Sequence, residues 1–383
     1  MEYFLTDTQK EIQALARRFA QEKMKPVRQE LDRTGQFPHG LMKELGELGL
    51  MGVYIPEEFG GLGGGIMEMC LVVEELCRVD GAAGLCYAAC GLGTFPIILG
   101  GTEEQKRRYL PRLAQGELAA FAITEAQAGS DASNVKTRAV RDGDYYVLNG
   151  TKQFITNGGV AKIYTVIAST NPARGARGLS AFIVEDGTPG FSIGKIEDKM
   201  GIRCSQTAEL VFQDCRVPAE NLIGGKEGFG FIQTMKTFDR TRPGVGAQAV
   251  GIAAGALDEA LEYAKQRIQF GQPIASFQAV QLMLADMAIL VEASRALVYQ
   301  AARAADAGVK NISAIASMAK VMASDTAMKV TTDAVQILGG YGYMKDYPVE
   351  KMMRDAKITQ IYEGTNQIQR LVIASELIKG TAW

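Results

Sequence analysis

The 383-residue chain has little histidine, little tryptophan and no surplus of charge. It contains one histidine and one tryptophan, and its 41 basic and 43 acidic side chains leave a net charge of -2. Because proteins bind nucleic acids through a basic excess, this balance argues against a nucleic-acid partner. The lone His39 follows Pro38 in a predicted turn, so we expect it to be exposed and to take no part in catalysis.

The six cysteines form no CxxC pair and have no histidine near them in sequence. This spacing argues against the common zinc motifs and against a Cys-His nucleophile. We therefore expect no metal site, and we interpret the cysteines as free, mostly buried thiols of a reducing compartment.

The sequence also lacks an evident membrane segment. We find no stretch that approaches the roughly 18 uninterrupted apolar residues of a membrane span. The longest run of small apolar residues lies near 246–257 and predicts close helix packing. The N-terminus begins an amphipathic helix instead of a signal peptide. These features predict a cytoplasmic protein without membrane insertion.

The chain exceeds the length at which one core usually keeps growing, so two or three domains are expected. Helical periodicity fills residues 1–118, strand and turn signals fill 119–228, and long helical patterns fill 229–383. The prediction is an α+β fold with an N-terminal helical domain, a middle β domain and a C-terminal four-helix bundle. This order favours a ligand held between the sheet and the bundle.

Local patterns add detail to this outline. Thr6 and Gln9 predict a capping box at the first helix. The small residues 88–93 predict tight turns, and Asn149 with Gly150 predicts a hairpin. The helices expected in the last region span about 245–269, 277–307, 313–338 and 367–379.

Glu363 is the best candidate for a general base in a chain with a single histidine. It lies between Tyr362 and Gly364, just ahead of a helix predicted to start near Thr365. Burial by Tyr362 and apolar neighbours would raise its pKa toward the working pH, and Gly364 would let a substrate approach the backbone. The alternative is that Glu363 is an acidic residue in the first turn of that helix, where the helix dipole favours it.

Two segments have the composition of a site for a planar ring. Residues 121–131 combine the hydroxyl of Thr124 with small residues that expose backbone N–H groups, and Phe154 to Thr156 add an aromatic wall and a hydroxyl. The alternative for each segment is an ordinary connection to a strand.

Two helix ends in the last region could contact a phosphate. Arg267 carries a fixed cation at one end, and the glycines of residues 336–340 would allow close backbone approach at another. Both could equally be plain helix termini. No GxGxxG follows a strand and no GxxxxGK[ST] occurs, so a dinucleotide would have to bind differently from Rossmann or P-loop proteins.

Together, these segments resemble the acyl-CoA dehydrogenase family over essentially the whole chain. The matching segments, in family order, are TEAQAGSD at Thr124, FITNGG at Phe154, EDKMGIRCSQT at Glu197, FDRTRP at Phe238, RIQFG at Arg267, QILGGYGY at Gln336 and RDAKITQIYEGTNQIQR at Arg354. The resemblance implies FAD between the sheet and the bundle, a tetramer built as a dimer of dimers, and an electron-transfer flavoprotein as the redox partner. A neighbouring subunit would supply Arg267, Gln278 and residues 336–340 to the FAD pyrophosphate and adenine.

The resemblance also assigns residues. The expected FAD contacts are Phe121, Ile123, Thr124, Gly129, Ser130, Phe154, Ile155, Thr156, Arg267, Phe270, Gln278, Gln336, Ile337, Gly339, Gly340, Thr365 and Gln367. The expected acyl-CoA contacts are Ser130, Asp239, Arg240, Arg242, Tyr362, Gly364, Cys90 and Gly91. Glu363 would remove the α proton of the thioester while the β hydrogen leaves as a hydride to the flavin.

Two departures from the family pattern are conservative for flavin packing. Ala126 stands where proline is usual, and Phe154 stands where tryptophan is usual. Position 241 carries no acid, which disfavours the branches whose base is relocated there.

Substrate expectations rest on the small residues from Ala88 to Gly91, which could open space for a ring. The sequence likeness favours an alicyclic substrate such as cyclohexanecarboxyl-CoA. The alternative is butyryl-CoA or another short-chain acyl-CoA, with Phe95 or Met67 filling the space and with possible membership of an electron-bifurcating complex. A non-enzyme alternative is a catalytically silent CoA- and flavin-binding subunit.

Overall fold

The computed structural model describes residues 3–381. Helices build its N-terminal part: α1 (Asp7–Phe19), α2 (Arg28–Thr34), α3 (His39–Glu47), α4 (Ile66–Val79), α5 (Gly81–Gly100) and α6 (Glu103–Ala114). Thr6 and Gln9 form the predicted capping box at the start of α1. His39 begins α3 and is exposed, as expected, and all six cysteines are free and buried.

Helix α5 corrects two sequence-based statements. The segment 88–93 lies in the middle of this helix and forms no turn. Its small residues serve close packing instead, because a Cβ on Gly93 would lie 2.8 Å from the Ala119 Cβ and from the Ala120 nitrogen. By length and composition α5 could also cross a membrane, contrary to our reading of the sequence, but 78% of its apolar window is buried inside the protein.

The middle part is a strongly curved arrangement of strands: β1 (Ala119–Ala122), β2 (Arg138–Asp142), β3 (Tyr145–Thr156), β4 (Ile163–Ser169), β5 (Leu179–Glu185), β6 (Phe191–Ile196) and β7 (Thr207–Pro218). The described strands form one sheet in the order β1-β4-β2-β3-β7-β6, and β5 pairs with β4. Strands β4 and β5 are buried along nearly their full length because helices cover them.

The predicted hairpin at Asn149 and Gly150 is wrong. Both residues lie inside β3, at a bulge where the register against β7 shifts between Leu148 and Gly150. The Asn149 side chain accepts a hydrogen bond of 2.8 Å from the backbone N–H of Asp214 on β7. The real turn between β2 and β3 contains Gly143, whose φ of 59° suits the left-handed region.

The C-terminal part is a bundle of α7 (Gly230–Gln266), α8 (Gln278–Asp306), α9 (Ser313–Leu338) and α11 (Asn366–Ile378), joined by the short helix α10 (Val349–Lys357). A two-residue hairpin, β8 (Ile268–Gln269) and β9 (Gln272–Pro273), connects α7 to α8. Helix α7 begins 15 residues earlier than predicted, at Gly230 and not at 245, because Pro243 is accommodated within the helix.

The close packing predicted for residues 246–257 is confirmed. A Cβ on Gly251 would lie 2.4 Å from the carbonyl oxygen of Glu74, and one on Gly255 would lie 2.0 Å from that of Arg78. These glycines let α7 run against α4 almost backbone to backbone. Helix α7 therefore contacts both the N-terminal helices and the sheet domain, and a cavity lies where these parts meet.

Candidate active site

Glu363 lies in a turn outside any helix. Helix α11 starts at Asn366, and its N-cap is Thr365, whose hydroxyl accepts a hydrogen bond from the Ile368 N–H. No acidic residue occupies the first turn of α11, so the alternative role of Glu363 as a helix-dipole partner is excluded. Glu363 has φ of 50° and Gly364 has φ of 91°. A non-glycine residue with positive φ is uncommon and costs energy, which points to a functional constraint.

The Glu363 carboxylate is subject to opposing effects on its pKa, and the net shift is upward. Burial raises its pKa, as the sequence predicts, while a hydrogen bond from Thr241 and the positive charges of Arg242 and Lys320 pull it down. The Thr241 hydroxyl donates to Oε2 of Glu363 at 2.6 Å. The Glu363 backbone N–H donates to no acceptor within residues 3–381, so it is available to a ligand carbonyl. A carboxylate with a raised pKa beside a free N–H can remove a proton next to a carbonyl group.

A cavity opens in front of this carboxylate. Its lining comes from α4, α5, β1, β3, α7 and the Glu363 turn. The lining residues are Met69, Val73, Leu85, Ala88, Ala89, Leu92, Phe121, Ile123, Thr124, Phe154, Ile155, Thr156, Phe238, Thr241, Gly244, Val245, Gln248, Tyr362 and Glu363. The Tyr362 hydroxyl donates to the side-chain oxygen of Gln248, which fixes the ring beside Glu363. The cavity is thus apolar at the α5 side and polar at Glu363.

The helix α5 residues at the cavity differ from those expected. Leu85, Ala88, Ala89 and Leu92 line it, since residues spaced by three and four share one face of a helix. Cys90 and Gly91 point away from it, contrary to the expected substrate contact. The Cys90 Sγ lies 3.5 Å from the Asn157 Nδ2, and a Cβ on Gly91 would lie 3.2 Å from the Met69 Sδ. The sequence-based interpretation treated the segment as a turn and therefore missed this periodicity.

Six of the residues expected to contact the flavin ring lie together at the cavity: Phe121, Ile123, Thr124, Phe154, Ile155 and Thr156. Phe154 is 58% exposed, with φ of 58°, and presents an aromatic ring at the cavity mouth. The hydroxyls of Thr124 and Thr156 make no hydrogen bond in the part of the chain that the structure describes. The exposed Gly129 has open space around a would-be Cβ. Aromatic walls with free donors and acceptors fit a flat, heteroatom-rich ring such as the isoalloxazine of FAD.

A buried ion pair that the sequence analysis did not identify supports the flavin loop, which we define as residues 121–131. Lys152 on β3 is fully buried and donates to the Ile123 carbonyl at 3.0 Å and to Glu125 at 2.7 Å. Burial lowers the pKa of Lys152 to about 8 against the pull of Glu125. Burial also opposes ionisation of Glu125, but Lys152 and hydrogen bonds from Thr137 and Lys136 outweigh it and lower its pKa. Strand alternation, which puts Lys152 on the same inward face as Leu148, could have revealed it.

The remaining expected FAD residues lie elsewhere. A separate cleft of about 460 Å³ contains Arg267, Ile337, Gly339 and Gly340 and shares no lining residue with the Glu363 cavity. The Arg267 guanidinium lies 5.3 Å from the centre of the Tyr341 ring and has no acidic partner within residues 3–381. Outside both cavities are the exposed residues Phe270, Gln278, Gln336, Ser130 and Gln367, and the half-buried Thr365. An unpaired arginine beside two open glycines suits a phosphate.

The expected CoA contacts on α7 form their own polar cluster. Asp239 pairs with Arg242 at 3.1 Å and accepts a hydrogen bond of 2.7 Å from Ser313. Arg240 donates to the Ala305 carbonyl at 3.4 Å. Arg242 is buried, and its Nε has no partner among the described residues. An unsatisfied buried donor this close to Glu363 is a candidate for contact with a ligand.

Comparisons with known proteins agree with this geometry. The family descriptions "Acyl-CoA dehydrogenase, N-terminal domain", "middle domain" and "C-terminal domain" match residues 6–117, 120–215 and 228–378. An acryloyl-CoA reductase (NADH) of Anaerotignum propionicum is 52% identical over 382 residues, which cover 99% of this chain and 96% of that protein.

Two solved structures are also similar to this chain. Butyryl-CoA dehydrogenase from Megasphaera elsdenii is 50% identical with a TM-score of 0.96, and the match covers 99% of this chain and 100% of that one. A chain in a structure that describes the electron transferring flavoprotein of Acidaminococcus fermentans and flavin-based electron bifurcation is 52% identical, with a TM-score of 0.97 and the same coverage.

The fold and the site define a flavin-dependent oxidoreductase. The chain belongs to the acyl-CoA dehydrogenase family, and its cofactor is FAD. The predictions of family, three-part fold and cofactor are therefore confirmed. The narrower expectation of an alicyclic branch finds no support in these relatives, which are named for acryloyl-CoA and butyryl-CoA.

Proposed function

We propose that this enzyme desaturates a short-chain acyl-CoA thioester of about butyryl size, with Glu363 as the base. The observation that carries the proposal is the Glu363 carboxylate, whose pKa is raised by burial and which faces a cavity beside an unpaired backbone N–H. The presence of this carboxylate argues against a catalytically silent subunit, since a silent protein would have no need to keep a costly buried base.

The chemistry follows from the positions of these groups. A thioester carbonyl bound to the Glu363 N–H would have its α proton acidified, because the hydrogen bond stabilises the negative charge that develops on oxygen. Glu363 takes that proton, and the electron pair left on the α carbon forms the new double bond. Bound FAD supplies the acceptor for the β hydrogen and its electron pair. Tyr362 and Phe238 keep water from the reacting carbons.

The shape of the apolar end favours a short, straight acyl group over a ring. Gly91 adds no side pocket to the cavity, because Met69, Phe95 and Tyr54 already fill the space beside it at 3.2, 3.8 and 3.8 Å from a would-be Cβ. Tyr54 and Phe95 are stacked with their ring centres 5.3 Å apart. The similarity to butyryl-CoA dehydrogenase supports the same choice, so we set the alicyclic expectation aside.

We also propose roles for the other residues predicted for the site. Phe121 to Ser130, Phe154 to Thr156, Thr365 and Gln367 would hold the flavin ring. Ser130, Asp239, Arg240, Arg242, Tyr362 and Gly364 would contact the acyl-CoA. The separate cleft at Arg267 and Gly339, with Phe270, Gln278 and Gln336, would bind the FAD pyrophosphate and adenine of a neighbouring subunit in a tetramer. We also propose domain boundaries near residues 118 and 228 and a cytoplasmic location.

The test is anaerobic mixing of the purified enzyme with butyryl-CoA and, separately, cyclohexanecarboxyl-CoA, while the visible absorbance of oxidised flavin is followed. We expect bleaching by butyryl-CoA, slow or no bleaching by the ring substrate, and none in Glu363→Gln, which keeps the shape of the side chain but cannot accept the proton. Bleaching that survives in Glu363→Gln would refute the assigned base, and faster bleaching by the ring substrate would refute the acyl size.

A second candidate is the reverse reaction, reduction of an enoyl-CoA with electrons from an electron-transfer flavoprotein. The relative named acryloyl-CoA reductase (NADH) favours it, as does the chain associated with the electron transferring flavoprotein. Anaerobic incubation with NADH, crotonyl-CoA and the electron-transfer flavoprotein encoded by the same organism tests it. NADH oxidation that requires all components would support reduction, whereas butyryl-CoA-dependent reduction of the flavoprotein alone would support dehydrogenation.

A further inference from the structure

The turn that carries Glu363 is strained at that residue, and side chains from neighbouring helices hold it in place. Its two carbonyl oxygens accept hydrogen bonds from the Gln369 side-chain amide, at 3.0 Å for Glu363 and 3.1 Å for Gly364. The positive φ of Glu363 is the strained angle, because glycine adopts positive φ freely at Gly364. What holds this turn therefore decides where the carboxylate points.

Lys320 is the charged member of this support. It extends from α9, is fully buried, and donates to the Gly364 carbonyl at 2.9 Å and to the Asn366 side-chain oxygen at 2.8 Å. Asn366 is itself oriented, because its amide donates to Ser324 at 2.9 Å and to Asp325 at 2.8 Å. The acceptors of Lys320 thus lie directly after Glu363 and at the first residue of α11.

The lysine has no carboxylate as a direct partner within residues 3–381. Buried ammonium groups are usually paired with an acid because their desolvation is costly. The charged groups that act on Lys320 are Glu363 on the turn, Arg242 on α7, Asp325 on its own helix and Arg370 on α11. Burial lowers the pKa of Lys320 to about 7, and Glu363 is the strongest force against that shift.

We propose that Lys320 is a positioning residue for Glu363: its ammonium group holds the Gly364 carbonyl and thereby aims the carboxylate into the cavity. The positive charge of the same group also acts to lower the pKa of Glu363. The proposal rests on the function proposed above for Glu363. A purely structural lysine would need only to fill space, and methionine fills the same volume without the cost of burying a charge.

The test compares Lys320→Met with Lys320→Gln, which keeps a neutral donor. Lys329→Met is the control because Lys329 lies on the same helix but is exposed and pairs with Asp333. The measured quantity is exchange of the α hydrogen of butyryl-CoA for deuterium in D₂O with the flavin already reduced, so that only proton transfer is observed. The dissociation constant of butyryl-CoA and thermal unfolding are measured alongside.

We expect the exchange rate in Lys320→Met to fall roughly tenfold to a hundredfold with little change in substrate affinity, because misplacing a base costs rate more than binding. Below pH 7, where Lys320 is charged in the wild type, loss of the cation should also move the ascending limb of the pH profile to higher pH. Lys320→Gln should lie between Lys320→Met and the wild type, and Lys329→Met should match the wild type.

The other outcomes separate the two proposals. Exchange that survives in Glu363→Gln would mean that the base is wrong. Exchange that is lost in Glu363→Gln but unaltered in both Lys320 variants would overturn the positioning role alone. A fall in rate without any shift of the pH profile, or failure of both Lys320 variants to fold while Lys329→Met folds, would assign Lys320 a structural role and also overturn it.

Discussion

The hydroxyl of Thr241 donates a 2.6 Å hydrogen bond to Oε2 of Glu363, which joins helix α7 to the turn that carries the proposed base. A donor to a carboxylate stabilises its charged form, so this contact opposes the effect of burial on the pKa of Glu363. Position 241 therefore contributes to the site although it carries no acid. From the neighbouring helix it lowers the pKa of the proposed base.

Replacing Thr241 with valine should raise the pKa of Glu363 further. Because the ionised carboxylate is the active form, the ascending limb of the pH-rate profile should move upward by about one pH unit, equivalent to the roughly 1.5 kcal/mol of a hydrogen bond to a charged group. The measurement is the rate of flavin reduction by butyryl-CoA as a function of pH.

Thr237→Val is the matched control for this substitution. Thr237 lies one turn earlier on the same helix and is equally buried, but its hydroxyl has no partner among the described residues. The control should keep the wild-type profile. Equal shifts in both variants would mean that the Thr241 hydrogen bond does not tune the base.

Glu363→Gln should increase the free energy of unfolding relative to the wild type, and this increase should grow as the pH rises. The pKa of Glu363 is raised in the folded state, so folding favours its protonated form. The stability that this group contributes is complete below its unfolded pKa and is lost as the pH rises through the folded value. Glutamine avoids that loss, and we expect a gain of about 1 kcal/mol near pH 8 that disappears near pH 4. Urea unfolding at the two pH values measures it, and a gain that does not depend on pH would contradict this account.

The three-part order of the fold could be predicted from the sequence because long periodic helices and strands bounded by turns have recognisable local sequence patterns. The sequence misled at α5, where Ala88 to Gly93 have the small side chains of a turn. In the folded protein Gly93 lets the helix pack against β1, a contact that no local pattern reveals. Asn149 and Gly150 also misled, since Asn-Gly is a common hairpin signal but here lies within β3, opposite a bulge whose extra residue is on β7.

The candidate site was only partly predictable. Glu363 and the segments proposed to face the flavin could be singled out because their neighbours in sequence are distinctive, and the structure places them at one cavity. Lys320 could not, since an isolated lysine in a helix predicts a solvated surface. Lys152 was missed for the same reason, although strand alternation places it on the buried face of β3. Only the tertiary structure shows that each is fully buried and that each donates to a backbone carbonyl of the site.

Leu85→Ala should lengthen the preferred acyl chain. Leu85 lines the apolar part of the cavity on the same face of α5 as Ala89 and Leu92. Removing its branched end leaves room for further methylene groups, each worth about 0.8 kcal/mol on burial. The ratio of kcat/KM for hexanoyl-CoA over butyryl-CoA should therefore rise by roughly four- to tenfold.

Cys90→Ala is the control for chain length, because Cys90 faces Asn157 and not the cavity. It should leave the hexanoyl-to-butyryl ratio as in the wild type. A larger change in Cys90→Ala than in Leu85→Ala would mean that the opposite face of α5 meets the substrate, as the sequence alone suggested.

Glu125→Gln should destabilise the flavin loop because it leaves the buried Lys152 ammonium without its carboxylate partner. The two groups are 2.7 Å apart with almost no solvent exposure, and removing one partner of such a pair typically costs about 3–5 kcal/mol. The double variant Glu125→Gln with Lys152→Met removes both charges and should recover a large part of that loss. Urea unfolding of the wild type, the two single variants and the double variant gives the coupling energy, and retention of FAD after gel filtration reports on the loop.

The Lys152 ammonium also donates to the Ile123 carbonyl, so the double variant should regain stability but still release FAD more readily than the wild type. Additive losses in the double variant would mean that the two charges act independently.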